Sequence, residues 1–145
     1  GVRANFQALM SLVNKGVPLP FGRTSNRRSL VALDNLVDLV CTCLQHPAAA
    51  SQTFLVSDGE AVSTAGLVRA MATALGKKPR LLDVPLPWMS RVAQALGQGA
   101  VTQRLFESLE VDIDKNRQLL GWEPSTRMAD ALLATARPYV EARRR

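Results

Sequence analysis

The sequence predicts an α/β fold in which helix predominates. Apolar residues recur at helical spacing in several segments, and short apolar runs of strand length stand between those segments. The predicted strands are few and short, and none has the character of a central sheet strand. We therefore expect a helix-rich portion of a larger α/β protein. A length of 145 residues suits one domain, residues 1–145.

Helices are predicted where apolar residues recur every three or four positions. The first helix carries Phe6, Leu9, Met10 and Val13 on one face and ends at Gly16. The second begins at Asp34, a good N-cap, and its apolar face consists of Leu36, Val37, Val40, Cys41 and Leu44. Later helices are predicted with Ser63 or Thr64 as the cap, at Pro87 and over residues 100–109. Two more follow: one capped by Asp112 and ending at Leu119-Leu120-Gly121-Trp122, and a last one capped by Ser125 that carries Met128, Leu132 and Leu133.

Short strands are predicted between these helices, at residues 30–33, 53–56 and 80–84. The turn signal Ser57-Asp58-Gly59 closes the second strand. Pro18 and Pro20 each disfavour helix in the residue before them, so we expect residues 18–22 to be extended.

Basic residues outnumber acidic residues by 18 to 12, and they are unevenly distributed. Residues 1–33 contain Arg3, Lys15, Arg23, Arg27 and Arg28 but no acid. Such a charge distribution favours anionic partners, such as a phosphate, a nucleotide or a nucleic acid. The end of the chain, residues 138–145, is interpreted as a basic tail that is mainly solvated.

The composition excludes several kinds of site. The single histidine, His46, and the two cysteines, Cys41 and Cys43, leave almost no residues from which a zinc site or a Ser-His-Asp triad could be built. No apolar run reaches the ~18–20 residues of a membrane span, and the first residues do not resemble a signal peptide. Unpaired cysteines are compatible with a reducing cytoplasm, where we expect the protein to act.

Acid–base catalysis also lacks residues. Gly97-Gln-Gly99 follows a predicted helix rather than a strand, so we interpret it as a loop and not as a phosphate-binding turn. Tyr139 is the one tyrosine, and Arg143 stands four residues later in place of the lysine of a Tyr-x-x-x-Lys pair. We therefore assign no catalytic residue in this chain.

The strongest chemical signal lies between residues 18 and 38. A proline-bounded Phe21 and a polar loop precede Arg28, which enters a predicted strand. This order would bring the guanidinium of Arg28 to the rim of a cleft, where it could hold a diphosphate by two charge-assisted hydrogen bonds. The alternative is that Arg27 and Arg28 are solvated loop residues.

An ordered set of segments resembles the extended short-chain dehydrogenase/reductases. The segments are residues 1–6 (GVRANF), 18–22 (PLPFG), 26–38 (NRRSLVALDNLVD), 53–59 (TFLVSDG) followed by Ser63, and 112–124, with Asp112-x-x-Lys115 and Leu120-Gly121-Trp122-x-Pro124. More narrowly, they are similar to the nucleotide-sugar epimerases, dehydratases and 4-reductases that act on UDP-sugars in cell-surface polysaccharide synthesis. The resemblance covers essentially the whole chain, in the same order.

The resemblance implies a UDP-sugar site. Asn5 matches an asparagine that hydrogen-bonds the UDP phosphates, and Arg28 matches an arginine that clamps the diphosphate. Leu19 and Phe21 match a segment that lies along the uracil, largely through backbone groups. A second phosphate arginine is expected, with Arg104 as the candidate. Asn35 stands where relatives often have aspartate, a change that we expect to alter a local cap.

The resemblance also implies that the dinucleotide-binding units of the family lie outside this chain. The chain would be the helix-rich C-terminal portion of an NAD(P)-binding Rossmann-like enzyme, lacking the N-terminal dinucleotide-binding βαβ units. The full-length protein is expected to use NAD or NADP, bound mainly by that absent half, and the fragment alone to bind neither and to turn over no substrate. Strands that lack their sheet partners predict self-association of the fragment.

Two other classes of function stay open from the sequence. One is a basic helical module that binds nucleic acid without catalysis, although aromatic residues make up only 5% of the chain and no base-stacking platform is evident. The other is a catalytically inactive relative of the same fold that acts as a regulator.

Overall fold

The computed structural model describes residues 2–85, 87, 88 and 107–141. These residues form five α-helices, a short 3-10 helix and a two-stranded antiparallel sheet. In chain order the elements are α1 (Val2–Lys15), β1 (Arg28–Ser29), α2 (Leu33–Gln45), the 3-10 helix (Pro47–Ala49), β2 (Ala61–Val62), α3 (Thr64–Ala74), α4 (Asp114–Leu120) and α5 (Met128–Glu141). The predicted helix-rich α/β fold is confirmed. Most of the helices predicted at Pro87 and over residues 100–109 lie outside the described residues.

A first hydrophobic cluster forms where α3 packs against α1 and α5. Met10 of α1 and Met71 of α3 are completely buried in it, and Leu132 of α5 is 4% exposed. The other buried members are Val13, Leu19, Val68, Ala72, Leu75 and Ala136. The apolar periodicity of the first helix therefore marks its inner face, as predicted from the sequence.

A second cluster joins α2 to α4 and the residues around it. Leu39, Ile113, Leu120 and Trp122 are its buried members. The half-buried side chains of Phe54 and Val56 pack against the same cluster, as does Cys43. Residues 113–122 thus pack back against α2.

Helix ends coincide with glycines in left-handed conformation at two predicted positions. Gly16 after α1 has φ +71°, and Gly121 after α4 has φ +61°. Lysine and arginine side chains also bind carbonyl oxygens at the first of these ends, where Lys77 Nζ donates to Asn14 O and Arg80 Nη1 donates to Gly16 O. Cations near a helix C-terminus interact favourably with the negative end of the helix dipole. Lys77 and Arg80 therefore stabilise the C-terminal end of α1.

The predicted strands are mostly wrong in position. The strand expected over residues 30–33 lies instead at Arg28–Ser29, where it pairs with β2, and Leu33 is already the first residue of α2. Residues 53–56 belong to no strand among the described residues. Side chains of α4 bind their carbonyls: Lys115 Nζ donates to Thr53 O, and Asn116 Nδ2 donates to Leu55 O. Of residues 80–84, Leu81 forms a parallel bridge with Leu19.

Two predicted helix caps are also wrong. Ala32, not Asp34, is the N-cap of α2, and Asp34 lies in the first turn. Ser125 lies three residues before α5, which begins at Met128, and its N–H donates to Asn35 instead. By contrast, Ser63 is the N-cap of α3 and its Oγ accepts from Gly66 N at 2.9 Å. A third predicted cap, Asp112, is also displaced, because Ile113 is the N-cap of α4, although Asp112 Oδ1 accepts from Asp114 N at 2.7 Å.

The last helix continues through Pro138 to Glu141, so the first residues of the segment interpreted as a tail are helical. Tyr139 and Val140 pack against the first cluster. Among the helices in the described ranges, none combines the length and apolar character needed to cross a bilayer.

Candidate functional site

The backbone of Arg28 is held on both sides. On one side β1 pairs antiparallel with β2, with Arg28 opposite Val62. On the other side Leu109 forms a parallel bridge with Arg28: Ser29 N donates to Leu109 O at 2.9 Å, and Leu109 N donates to Arg27 O at 2.8 Å. A strand fixed along both edges holds its side chains in a defined direction. Arg28 is thus part of a small sheet rather than of a solvated loop.

Arg27 directly precedes β1, which begins at Arg28. Arg27 is exposed, and its Nε donates to Glu110 Oε1 at 2.6 Å. Ser29 accepts from Val111 N at 3.0 Å through its hydroxyl. Arg28 is half-buried.

The ion pair between Arg27 and Glu110 shifts two pKa values. The hydrogen bond from Arg27, together with its charge, lowers the pKa of Glu110, and the hydrogen bond to Glu110 raises the pKa of Arg27. Both groups are in contact with solvent, so the pair adds little to stability. Its effect is to tie residues 27 and 110 together beside the strand.

The loop before Arg28 ends on the N-terminus of α3, and its side chains cap that helix. The N–H groups of the first three residues of α3 all donate to side-chain oxygens. Their acceptors, in order, are Asn26 Oδ1 at 3.0 Å, Thr24 Oγ1 at 2.9 Å and Ser63 Oγ at 2.9 Å. Since these groups are satisfied, the N-terminus of α3 has no first-turn donor left for a phosphate. A phosphate in this region would depend on side-chain cations.

The segment that contains Leu19 and Phe21 runs beside residues 80–82. Leu19 N donates to Arg80 O and Leu82 N donates to Leu19 O, each at 2.8 Å. The Leu19 side chain is 5% exposed and belongs to the first cluster, and half-buried Phe21 packs against that cluster. Both residues therefore have structural contacts, and their role toward a ligand stays a prediction.

Two predicted site residues cannot be compared with Arg28. Asn5 lies on α1, and its side chain is outside the described part of the structure. Arg104 lies outside the described residues altogether. The phosphate contacts that the resemblance implies for Asn5, Arg28 and Arg104 therefore stay a prediction.

The turn at residues 57–59 caps α2, which the sequence did not indicate. Ala32 N donates to both carboxylate oxygens of Asp58, at 2.8 and 3.1 Å, and Asn35 Nδ2 donates to Asp58 Oδ1 at 2.6 Å. Asp58 thus supplies the N-terminal carboxylate that was expected from Asp34. The sequence signal for it was the Ser-Asp-Gly turn, which was interpreted only as the end of a strand.

Asn35 is completely buried and makes four hydrogen bonds. Its Nδ2 donates to Asp58 Oδ1 and to Thr126 O at 2.8 Å, and its Oδ1 accepts from Ser125 N at 3.1 Å and from Thr126 N at 2.9 Å. An amide has two N–H donors and an oxygen that accepts twice, so every position is used. Asn35 therefore joins α2 to two distant segments, a larger role than the altered cap predicted for it.

Other chemistry-bearing residues have structural roles. The imidazole Nδ1 of His46 accepts from Ala48 N at 3.2 Å and caps the 3-10 helix, and Cys41 and Cys43 are free thiols. Within residues 2–85, 87, 88 and 107–141, no three His, Cys, Asp or Glu side chains group in a way that could hold a metal ion.

Comparison with known proteins gives two matches. No protein-family model matches the chain. The UDP-glucose 4-epimerase of Vibrio cholerae is 47% identical over 146 residues, which is 100% of this chain and 44% of that protein. A solved nucleoside-diphosphate-sugar epimerase from Staphylococcus aureus superposes with a TM-score of 0.60 at 14% identity, covering 90% of this chain and 48% of that structure. The second match shows a shared fold. The chain spans less than half the length of either protein.

Proposed function

We propose, since the chain belongs to the NAD-dependent epimerase/dehydratase family of extended short-chain dehydrogenase/reductases, that it forms the UDP-sugar-binding part of a nucleotide-sugar epimerase. The observation that carries this proposal is the 47% identity along the whole chain to the Vibrio cholerae UDP-glucose 4-epimerase. Because the chain spans 44% of that relative, the epimerase activity is proposed for a longer protein of which this chain is one part.

Arg28 is the proposed diphosphate clamp. Its backbone is fixed by β2 and by Leu109, and the residue is half-buried. A guanidinium binds two phosphate oxygens at once, which suits the pyrophosphate bridge of a UDP-sugar. The remaining predicted contacts are part of the same proposal: Asn5 and Arg104 bind phosphate oxygens, and Leu19 and Phe21 lie along the uracil.

NAD or NADP would bind mainly outside this chain. The dinucleotide pyrophosphate normally sits at a helix N-terminus with unpaired N–H groups. The first N–H groups of α3 are capped, and the carboxylate of Asp58 occupies the N-terminus of α2 and would repel a phosphate. These two helices therefore do not fit a dinucleotide pyrophosphate.

The chain alone is proposed to be inactive. Tyr139, the residue closest to a catalytic motif, lies near the end of α5 and packs against the first hydrophobic cluster. We propose that the complete protein acts on sugar nucleotides for cell-surface polysaccharides, in the cytoplasm, where free thiols such as those of Cys41 and Cys43 persist.

Titration of the chain with UDP tests the proposal, with uridine as the ligand that lacks phosphates. We expect binding of UDP that weakens with added salt, and no comparable binding of uridine. Arg28→Gln should weaken UDP binding about 10–100-fold, because hydrogen bonds to charged groups contribute about 1.5–3 kcal/mol. Arg69→Gln, at an exposed position of α3, is the matched control and should leave the affinity unchanged.

Three results would contradict the proposal. UDP could fail to bind, or Arg28→Gln and Arg69→Gln could weaken binding equally, which would indicate a general charge effect. A single-stranded oligonucleotide that binds more tightly than UDP, with a steep dependence on salt, would favour the nucleic-acid module instead.

A further inference from the structure

The strand that contains Arg28 is short for the role proposed for it. β1 has two residues, and its register with β2 sets Arg28 opposite Val62 and Ser29 opposite Ala61. A shift of register by one residue turns every side chain of a strand to the other face. An isolated pair of strands is at best marginally stable in water, so contacts beyond the ladder must hold Arg28 in one direction.

Asn26 continues the register through its side chain. Asn26 lies two residues before Arg28 and Thr64 lies two residues after Val62, so Asn26 and Thr64 are opposite each other in the same antiparallel register. Asn26 Oδ1 accepts from Thr64 N at 3.0 Å, and both residues are buried. The side chain of Asn26 thus extends the pairing beyond the two residues of β1, as far as the first residue of α3.

The contact between Asn26 and Thr64 selects one register. The N–H of Thr64 has no partner within α3, because it belongs to the first turn of the helix. A shift in one direction would bring Arg27 opposite Thr64, and a guanidinium has donors but no acceptor for that N–H. A shift in the other direction would bring the shorter side chain of Ser25 there. A buried N–H that loses its acceptor is costly, so the register with Asn26 is favoured.

The other edge of β1 does not align the strand with the core. The backbone bonds between the strand and Leu109 use groups that every residue has, so they can form in any register. Serine hydroxyls accept N–H groups across this edge, and they align residues 108–111 with the strand. Asn26 instead aligns the strand with α3, a helix of the first hydrophobic cluster. Thr24 binds the next N–H of α3 but lies four residues before Arg28.

We infer that Asn26 is the positioning residue of the diphosphate clamp: it fixes the register of β1 and thereby the direction of the Arg28 side chain. A guanidinium that binds two phosphate oxygens requires a defined geometry, so its affinity depends on the fraction of molecules in the correct register. The inference rests on the proposed function for the role of Arg28 as the clamp. The register itself can be measured without UDP.

Two variants separate this role from helix capping. Asn26→Leu removes the acceptor of Thr64 N and keeps a side chain of similar size. Ser63→Ala is the matched control, because it removes another cap of the same helix end, the hydroxyl that accepts from Gly66 N at 2.9 Å. Ser63 makes no part of the contact with the Arg28 strand, so its loss should lower stability only.

The first measurement is the register of β1, by nuclear Overhauser contacts between the backbone protons of Arg28 and Val62. It is made under conditions where circular dichroism shows each variant to be folded. We expect Asn26→Leu to weaken this contact about threefold or more, because other registers become populated once the hydrogen bond is lost. Ser63→Ala should keep the contact at its original intensity.

The second measurement is the affinity for UDP in a double-mutant cycle. Asn26→Leu should weaken UDP binding about 3–10-fold, since the apparent affinity falls with the competent fraction. In the Arg28→Gln background Asn26→Leu should have no further effect, because there is no guanidinium left to position. Ser63→Ala should leave the affinity unchanged. A residue needed only for stability would not show this dependence on Arg28.

A second variant breaks the same hydrogen bond from the other side if Asn26→Leu does not fold. Thr64→Pro removes the N–H donor, and proline suits the first residue of a helix. Ser63 already has ψ 159°, a value that the residue before a proline adopts readily. Thr64→Pro should weaken the contact between Arg28 and Val62 and the affinity for UDP in the same way as Asn26→Leu.

Two results would overturn the inference. One is an unchanged contact between Arg28 and Val62 in the variants that lack the hydrogen bond from Thr64 to Asn26. The other is an equal loss of UDP affinity from Asn26→Leu with and without Arg28. An unaltered chain that fails to bind UDP would overturn the proposed function and the clamp, whereas the contact between Arg28 and Val62 would still decide whether Asn26 fixes the register.

Discussion

The side-chain amide of Asn35 donates to Oδ1 of Asp58 at 2.6 Å, across 23 residues of sequence. The same carboxylate accepts from Ala32 N, so one turn residue caps α2 and orients a completely buried amide. Buried polar groups in the described part of the chain all have hydrogen-bond partners, and this pair accounts for several of them. The pair also fixes the point where the Arg28 strand passes into α2.

Replacing Asn35 by aspartate should destabilise the chain at neutral pH. The change removes the donor to Asp58 and to Thr126 O and brings two carboxylates together, so we expect a loss of about 2–4 kcal/mol in the free energy of unfolding. Urea unfolding of the variant and of Asp34→Asn, at an exposed position of the same helix, measures it.

The same variant should regain stability as the pH falls. Of two adjacent carboxyls one has its pKa raised in the folded state, so the folded protein binds more protons than the unfolded chain between neutral and mildly acidic pH. Addition of Asp58→Asn to Asn35→Asp should remove this pH dependence. Equal losses of stability at all pH values would contradict the assigned contact.

Adjacent leucines of α5 should differ in their contribution to stability. Leu132 is 4% exposed and packs in the first cluster, whereas Leu133 is 51% exposed. Leu132→Ala should cost about 2–5 kcal/mol through lost burial and a cavity, and Leu133→Ala less than about 1 kcal/mol. Thermal and urea unfolding of the two variants compare them directly. Similar losses of stability in the two variants would mean that Leu132 and Leu133 are not divided between the core and the surface.

Trp122 should be the source of the blue-shifted tryptophan emission, which comes from buried indole rings. It is 4% exposed and donates to Asp38 Oδ2 at 2.7 Å, whereas Trp88, the other tryptophan, is 66% exposed. Trp122→Phe should remove the blue-shifted emission and lower the free energy of unfolding by about 1–2 kcal/mol, since the hydrogen bond is lost and most of the ring is kept. Trp88→Phe should keep the blue-shifted emission and the stability.

The contribution of Glu110 to the free energy of unfolding should be lost in acid. Its pKa is lowered in the folded state by Arg27, so the stability that the pair adds is present at neutral pH and is lost as the pH falls through the lowered pKa. Glu110→Gln should therefore slightly lower the denaturation midpoint at pH 7 and make progressively less difference as the pH falls through the lowered pKa of Glu110. Because the pair is exposed, 1 M salt should also reduce the difference.

The sequence predicted the helices that depend on local periodicity and glycine stops. Met10 and Val13 lie on the buried face of α1, Gly16 ends that helix, and Ser63 caps α3. These features require only residues that are near one another in the chain. The same holds for Gly121 at the end of α4.

The strand positions and the cap of α2 could not be predicted, because distant residues decide them. Asp58 displaces Asp34 from the N-terminal position of α2, and Leu109 and Val62 determine where β1 lies. No local pattern reports such pairings. For the same reason the sequence could identify Arg28 as a candidate clamp but not show that its strand is fixed on both edges.

The reach of Asn35 has a consequence for synthesis on the ribosome. Its side-chain amide can complete its hydrogen bonds only after Thr126, 91 residues further along the chain, has been synthesised. At the usual translation rate of about 5–20 residues per second, that interval is on the order of 5–20 s. Throughout it, the beginning of α2 holds a polar group whose partners have not yet been made, and a nascent chain halted before residue 126 cannot complete the junction.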